Sequence, residues 1–579
     1  MQINQEFYEK ILACWMGKNI GGTLGGPVEG RTDWLSFEGL SDLRSDGPLP
    51  NDDVDLQLVN LHALEHRGVN ITAQDLSEEW AEHVYFPYDE YGYALTNIRK
   101  NLASPLSGCY NNPFIDCMGS PIRSELWAAI APNDPDTAAF YAYHDSLVDH
   151  AGGEGMHGEV FLAVLESLAF GERDINILVE KALAFLPENS RVKKAVLDTL
   201  AWYRQGVSYR EIREKILSRY GNRNFTDAPQ NIAFIIVGLL YGTDFADSLI
   251  KTVNLGYDTD CTCATVGAIY GILYGLDGIP KEWKEKVGDK IKISREIRGF
   301  DYPSTIMELT DRIMVLHRQL ESKPIKAYIP RYEDYFRQCF TLPDKCGLNP
   351  LSVSVKIKDN TFLVPDKAQE VFVDFVNNSQ EVWDFRASLN DVQSGEVITL
   401  PPGGHHRVAF NVTPANCIYL TSKQVLTVER LHCKSVWKCY NLNFVLPVAS
   451  RWMVDGSESF CESGLVQLSG KGSHIAETRL YVPSDRRIKL ICASDSPVSV
   501  KLDGKLIIDS RIKGYYMPTH HRCPEEQYAF LDLAAGNYQI QVALEAEDDV
   551  SKFMLLPVAV EGVQGKKFLF YYIDCQIGM

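Results

Sequence analysis

No run of eighteen apolar residues interrupts this chain of 579, so a membrane-spanning helix is not expected. The opening stretch, MQINQEFYEKILACWMGKNIGG, has no basic segment leading into an apolar one. It reads as the start of a helix and not as a signal peptide. Paired CxxC knuckles are absent among the 14 cysteines, and the single CxC at Cys261 and Cys263 is not repeated nearby. A cysteine-built zinc site is therefore not expected, and the thiols read as mostly reduced and buried, in a cytoplasmic protein. Basic residues are in short supply: 57 Lys and Arg face 76 Asp and Glu, a formal charge of -19. That balance disfavours a nucleic-acid backbone as partner, while a small phosphate-bearing ligand stays open. What is plentiful is apolar and aromatic, with 45% hydrophobic residues, so the chain folds. Its length exceeds what one core usually serves.

Residues 1–325 read as an all-α domain. Segments such as VDLQLVNLHALEHRG, GEVFLAVLESLAFG and CATVGAIYGILYGLDGIP carry apolar residues at helical spacing and stop at Gly or Pro. STIMELTDRIMVLHRQL at 304–320 reads as its last helix. Residues 326–349, with prolines and mixed aromatics, read as a linker. From 350 the period changes to two. LSVSVKI, EVFVDFVN, EVWDFRASL, GEVITL and HHRVAFNV predict a β-sandwich module over 350–452. A second, jelly-roll-like β module is expected over 453–579, with a hairpin at LDGKLI and a further strand in KKFLFYYIDC.

Two acid clusters stand at the mouths of apolar segments. One is NDDVD, with Asp52, Asp53 and Asp55; the other is Asp258 and Asp260 in LGYDTDCTCATVGAIYG. Acids at a helix start are favoured by the backbone N–H groups there, so either cluster alone is accounted for by capping. The second, however, heads a segment rich in small residues (Gly256, Ala264, Gly267, Ala268, Gly271), which predicts a central helix and places its acids in a crevice. Buried carboxylates need a proton or a positive partner. Hard oxygens from two parts of the chain suit Mg²⁺, with Mn²⁺ as the alternative, and their number suits two ions.

Four segments resemble the ADP-ribosylglycohydrolase family, which includes dinitrogenase-reductase-activating glycohydrolase. They are CWMGKNIGGTLGGPVEG at 14–30, NDDVD at 51–55, YHDSLVDHAGGEGMHGEVFLAV at 143–164 and NLGYDTDCTCATVGAIYGILYGLDGIP at 254–280. The resemblance implies an all-helical domain with a dinuclear magnesium site and hydrolysis of an N- or O-glycosidic bond to ADP-ribose. It implies Asp52, Asp53, Asp258 and Asp260 as metal ligands, and Asn51 where the family has threonine. It places Glu29 near the substrate ribose. Three positions depart from the family pattern. Asn51 replaces the threonine, Gly22 stands where many members carry aspartate, and Cys261 stands where a Thr or Ser would reach a metal. A neutral thiol is a poor Mg²⁺ ligand, so an altered metal shell is expected.

Among single residues, Glu29 in its Gly-rich loop is expected to contact ribose or act as general base. His157, in GGEGMHGE, is divided between ligand contact and a hydrogen-bonded scaffold. Asp116 and Arg123 are candidates for a phosphate or the pocket mouth. Asp145 and His144 read as capping and packing residues, and the pairs His405–His406 and His520–His521 as solvated. The expected activity is metal-dependent cleavage of an ADP-ribosyl or related ribosyl substrate, free or carried on a protein. A same-fold hydrolase of carbohydrates or nucleosides and a non-catalytic ligand-binding protein are the alternatives. Homo-oligomerisation is left open.

Overall fold

A computed structural model describes residues 5–324, 339–341, 348, 351–414, 417, 420–560 and 575–578. The chain is all-helical up to residue 322 and strand-rich after it, as the change of period predicts. Most of the 326–349 segment and the strand expected in KKFLFYYIDC lie outside the described residues. Among the described residues, no helix is long and apolar enough to cross a membrane, and the twelve cysteines whose side chains are described are free thiols.

By packing, the chain divides into two compact units. The first holds the helices up to Phe86 and those from Phe114 onward. Its axis is a pair of helices, α1 (Gln5–Gly25) and the helix Thr259–Tyr274. Both are buried along nearly their whole length, which is why neither shows a strong polar face. Their contact is made backbone to backbone. A Cβ added at Gly17 would stand 2.0 Å from the carbonyl oxygen of Gly267, and one at Gly21 would stand 2.0 Å from that of Cys263. Gly25 meets Thr259 O and Gly271 meets Ala13 O in the same way, each at 2.2 Å. Spacing of four puts these glycines on one stripe of each helix, so the two axes approach more closely than any side chain would permit. The helices Ala228–Tyr241, Phe245–Asn254, Glu154–Ala169 and Ile306–Ser322 pack around the pair. Two more helices matter below: α2 (Asp52–Arg67), stopped by Gly68 at φ +84°, and α3 (Ala73–His83).

The second unit joins Pro87–Pro113 to the strands. Its first sandwich faces a sheet containing Leu351–Ile357, Gln369–Asn377 and His405–Val412 with one built on Trp383–Leu389, Thr421–His432 and Ser435–Pro447. The described pairings within both sheets are antiparallel, and the alternate residues Val353, Val355, Val371, Val373, Phe385 and Leu426 form the core. Leu102, Leu106 and Tyr110 complete this core from the 87–113 segment. The second sandwich sets Gly472–Val482, Gly536–Ala546 and Val498–Leu502 against Val550–Ala559, Arg486–Ser494 and Tyr528–Leu533. The LDGKLI hairpin forms as expected, with Asp503 and Gly504 both at positive φ in its turn. The expected solvation of His520 is corrected here. Its side chain is buried and stacked on Tyr88 at 5.8 Å, and burial pushes its pKa down to about 4.

Candidate metal centre

Two loops set up the site. The loop entering the helix Thr259–Tyr274 passes through Gly256 (φ +74°) and Tyr257 (φ +68°). The Tyr257 N–H donates to Arg31 O at 2.6 Å, and the Gly30 N–H donates to Tyr257 O at 2.9 Å. This pairing ties the Glu29 loop to the residue just before Asp258. A Cβ at Gly256 would stand 2.6 Å from Arg31 O, so a side chain there would force the loops apart. Thr259 Oγ1 fixes the same junction by donating to Gly25 O at 2.9 Å.

α2 contributes the second pair of aspartates. Asn51 is its N-cap, and the Asn51 side-chain oxygen accepts from the Asp53 N–H at 2.7 Å. The Asn51 amide nitrogen donates to Asp260 Oδ2 at 3.4 Å, so this residue links the two aspartate clusters. Its position also accounts for Gly22, because a Cβ there would lie 2.8 Å from the Asn51 amide nitrogen. Gly22 and Asn51 are thus complementary. Asp55, the third acid of NDDVD, has a different partner. Both of its oxygens accept from the Ser294 N–H, at 3.1 and 3.2 Å, and burial pushes its pKa up to about 8.

Two groups of candidate ligands result. One donor atom each from Glu29, Asp258 and Asp260 lie within 4.8 Å of one another, and so do atoms from Asp53, Asp260 and Cys261. Asp260 belongs to both. Asp53, Asp258 and Asp260 are buried, Asp52 is half-buried, and Glu29 is exposed at the rim. Both Asp258 carboxylate oxygens, Asp260 Oδ1 and Asp53 Oδ2 are buried without a hydrogen-bond partner. Burial and then the neighbouring acids push Asp258 and Asp260 well above the usual carboxylate range. Asp53 is pushed up by burial as well, although Lys18 opposes it from 3.4 Å. Lys18 is itself fully buried and held more tightly by Glu125, at 2.8 Å. The Cys261 thiol eases Asp258 a little without a well-formed hydrogen bond. Burial and its acid neighbours keep it protonated. Orphaned hard oxygens converging with one shared carboxylate fit divalent cations of the Mg²⁺ or Mn²⁺ type.

The other candidate residues belong to neither group of ligands. Arg123 is fully buried, 3.0 Å from Asp145 and 2.9 Å from Asp149. It lines no pocket mouth; it is the counter-ion of an internal acid cluster. Trp127 Nε1 donates to Asp145 and Glu159 at 3.1 and 3.0 Å, and Asn60 donates to Asp145 at 2.9 Å. Burial alone would raise Asp149, but Arg123 overrides it and holds the pKa near about 2. His157 sits in the first turn of Glu154–Ala169, 3.3 Å from the Glu154 carboxylate. Glu154 in turn accepts from Ser190 Oγ and from the Arg191 and Val192 N–H groups. Asp116 accepts from the Glu154 N–H at 2.8 Å. Lys18 was missed in the sequence because a lysine inside an apolar helix reads as a surface residue.

An all-helical unit with carboxylates gathered at two helix starts defines a class: a hydrolase-like fold with a candidate divalent-metal site. The sequence model of ADP-ribosylglycohydrolase matches residues 3–322, more than half of the 579, and the chain belongs to that family. A protein of Archaeoglobus fulgidus, described only as uncharacterized, is 28% identical over 307 residues, covering 49% of this chain and 92% of that one. The ADP-ribosyl-[dinitrogen reductase] glycohydrolase of Rhodospirillum rubrum is 46% identical over 54 residues, 9% of this chain and 18% of that protein. The ADP-ribosylarginine hydrolase Tri1 of Serratia proteamaculans is 43% identical over 56 residues, 10% of this chain and 15% of that protein. The chain thus matches less than a fifth of each named hydrolase. A solved ADP-ribosylglycohydrolase-related protein complex is 20% identical with a TM-score of 0.40, covering 54% of this chain and 99% of that one.

Proposed function

We propose that this protein is a metal-dependent glycohydrolase that cleaves an N- or O-glycosidic bond of an ADP-ribosyl or related ribosyl substrate, small or protein-borne. One observation carries the reading: Asp260 is shared by two groups of candidate ligands, and one of these includes the exposed Glu29. Asp53, Asp258 and Asp260 would hold Mg²⁺ or Mn²⁺, two ions being the number the shared carboxylate suits, with Asp52 at the edge. When bound, such ions supply a Lewis acid and lower the pKa of a coordinated water. Glu29, on the solvent side, is placed to orient the sugar or accept a proton from water. Asn51 holds the two aspartate clusters in register, and His157, 3.3 Å from Glu154, serves as a ligand contact or as scaffold. The buried aspartates face inward with little access to solvent, which keeps the charges in a low-dielectric setting where their grip on a cation is strong.

The decisive experiment is a screen of ADP-ribosyl conjugates, nucleosides and aryl glycosides with Mg²⁺, against an Asp258→Asn control. Turnover of an ADP-ribosyl conjugate that disappears in the control supports the proposal. Turnover of simple glycosides alone moves the substrate to the carbohydrate or nucleoside class. Metal binding without turnover of any class points to a ligand-binding protein.

A further inference from the structure

A second group of metal-type ligands lies away from the aspartates. His62 stands on α2 and Glu79 and His83 stand four residues apart on α3, so the two α3 side chains share one helix face. One donor atom from each of the three lies within 4.8 Å of the other two. His62 is nine residues beyond Asp53, about 13 Å along the helix.

The hydrogen bonds fix how the donors face. His83 Nδ1 is 3.0 Å from the carbonyl oxygen of Arg298. A carbonyl only accepts, so Nδ1 carries the proton and Nε2 of the neutral ring is a lone pair. That Nε2 points at Glu79 Oε1, 3.6 Å away. A lone pair facing a carboxylate is repulsive unless a proton or a cation lies between them. Glu79 Oε1 also meets His62 Nδ1, while Arg67 Nε holds the other oxygen, Oε2, at 3.2 Å. A carboxylate with one oxygen held by a neighbour and one turned to two imidazoles is the arrangement of a monodentate ligand with its outer support. The 3.6 Å gap between His83 and Glu79 is close to the edge of a tetrahedron with bonds of ~2.1 Å, roughly 3.4 Å.

The surroundings restrict the rings. Phe300 lies 5.0 Å from the His62 ring and 5.1 Å from the His83 ring, and His66 packs on His62 at 3.9 Å. Burial lowers the His62 pKa, which favours the neutral ring that a metal requires. The His62 side chain keeps 14% exposure, enough for an ion to enter and for water to take a fourth position.

We propose that His62, Glu79 and His83 form a site for a zinc-type transition-metal ion that ties α2 to α3 and is separate from the aspartate centre. Two imidazoles and one carboxylate suit a borderline metal, whereas the aspartate centre suits a hard one. For the neutral His62 ring to offer Nδ1 to the ion, the proton that Nδ1 shares with Glu79 moves to Nε2, so the ring stays neutral and no net proton is released.

The test uses the full chain, stripped with chelator and then given Co²⁺ or Zn²⁺ in an excess of Mg²⁺ that occupies the hard site. The expected result is one tightly held equivalent. Its Co²⁺ form should show the intense visible bands of a four-coordinate ion, and zinc-edge X-ray absorption should show two imidazoles. Asp258→Asn should keep this ion. His83→Gln and Glu79→Gln should weaken it by on the order of 100-fold or more, beyond the loss typical of an outer-shell change, while the thermal shift produced by Mg²⁺ persists. Unchanged zinc binding in both variants, or loss of the ion in Asp258→Asn alone, would overturn the proposal. If the variants do not fold, the absorption edge of the unmutated protein decides: zinc without imidazole ligands refutes the site.

Discussion

Two buried acid clusters in the helical unit differ in one respect. Around Arg123, the carboxylates of Asp145 and Asp149 meet a guanidinium built into the chain, and Glu159 keeps its proton through burial and the nearby Asp145. At the second cluster, among the described residues, Lys18 reaches one oxygen of Asp53 and is held more closely by Glu125. The first cluster carries its own guanidinium and leaves Asp145 Oδ1 without a hydrogen-bond partner; the second leaves both oxygens of Asp258 and one each of Asp53 and Asp260 without one. Burial acts on both in the same direction, yet Asp149 ends near about 2 while Asp258 and Asp260 are pushed far up. A missing counter-charge, more than the acids themselves, is therefore the mark of a site meant for something from outside.

The comparison breaks most severely at Arg123. Arg123→Met should destabilise the protein by about 3–5 kcal/mol in urea unfolding, because it strands two buried carboxylates. An unfolding midpoint unchanged from the parent would mean that the two clusters are not different in kind.

Asp258→Asn should do the opposite in metal-free protein, leaving stability equal or higher, since it replaces a buried acid whose ionisation the site disfavours by a neutral amide. The same change should weaken Mg²⁺ by on the order of 100-fold, read by calorimetry and by loss of the Mg²⁺-dependent rise in Tm. If it lowered metal-free stability as Arg123→Met does, the orphaned oxygens would have an internal partner after all.

Acid separates the clusters next. The Asp149 pKa is depressed by its ion pair, so the pair's stabilisation is present in full above the unfolded value near 4 and is lost as pH falls through about 2. It should amount to about 2 kcal/mol. Carbon-13 NMR of the Asp149 carboxyl should show no titration between pH 6 and about 3. A midpoint at an ordinary aspartate value would remove the contrast.

The smallest effect is expected at Cys261. Cys261→Thr replaces a protonated thiol by a hard oxygen and should hold or tighten Mg²⁺ by less than about tenfold. A marked loss of metal would give the thiol a role that its chemistry does not suggest.

The gathering of Asp53, Asp258 and Asp260 was legible because the acids come in short runs at helix starts, Asp52 and Asp53 before an apolar face and Asp258 and Asp260 before small residues. Gly267 and Gly271 were legible as close approach from the run of small residues around them; Gly17, Gly21 and Gly25 were not, because their role depends on the partner helix about 250 residues away. The Arg123 cluster was not, because its pairs are joined across 22 and 26 residues: Arg123 alone read as a phosphate or pocket-mouth candidate and Asp145 alone as a capping residue. Asp55 read as the third acid of its cluster and not as a ligand; two residues along a helix from Asp53 turn its side chain by about 200°, and it meets Ser294. His62, Glu79 and His83 become neighbours only when α2 and α3 pack. Strands such as Leu351–Ile357 and His405–Val412 were read to the residue, because alternation is local. The attachment of residues 87–113 to the strands depends on contacts hundreds of positions away.

That attachment has a consequence in time. The ribosome releases Leu102, Leu106 and Tyr110 long before the strands around Val353 and Leu426 that cover them, and Tyr93 waits longer still for Pro518, whose carbonyl its hydroxyl reaches at 2.7 Å. At ~5–20 residues per second, the delay from this segment to the last of its partners is on the order of half a minute. During that interval the nascent chain carries an apolar segment with no native cover. A chaperone that holds such a segment should raise the yield of the full chain, and a chain cut after the last helix should never lose the need for one.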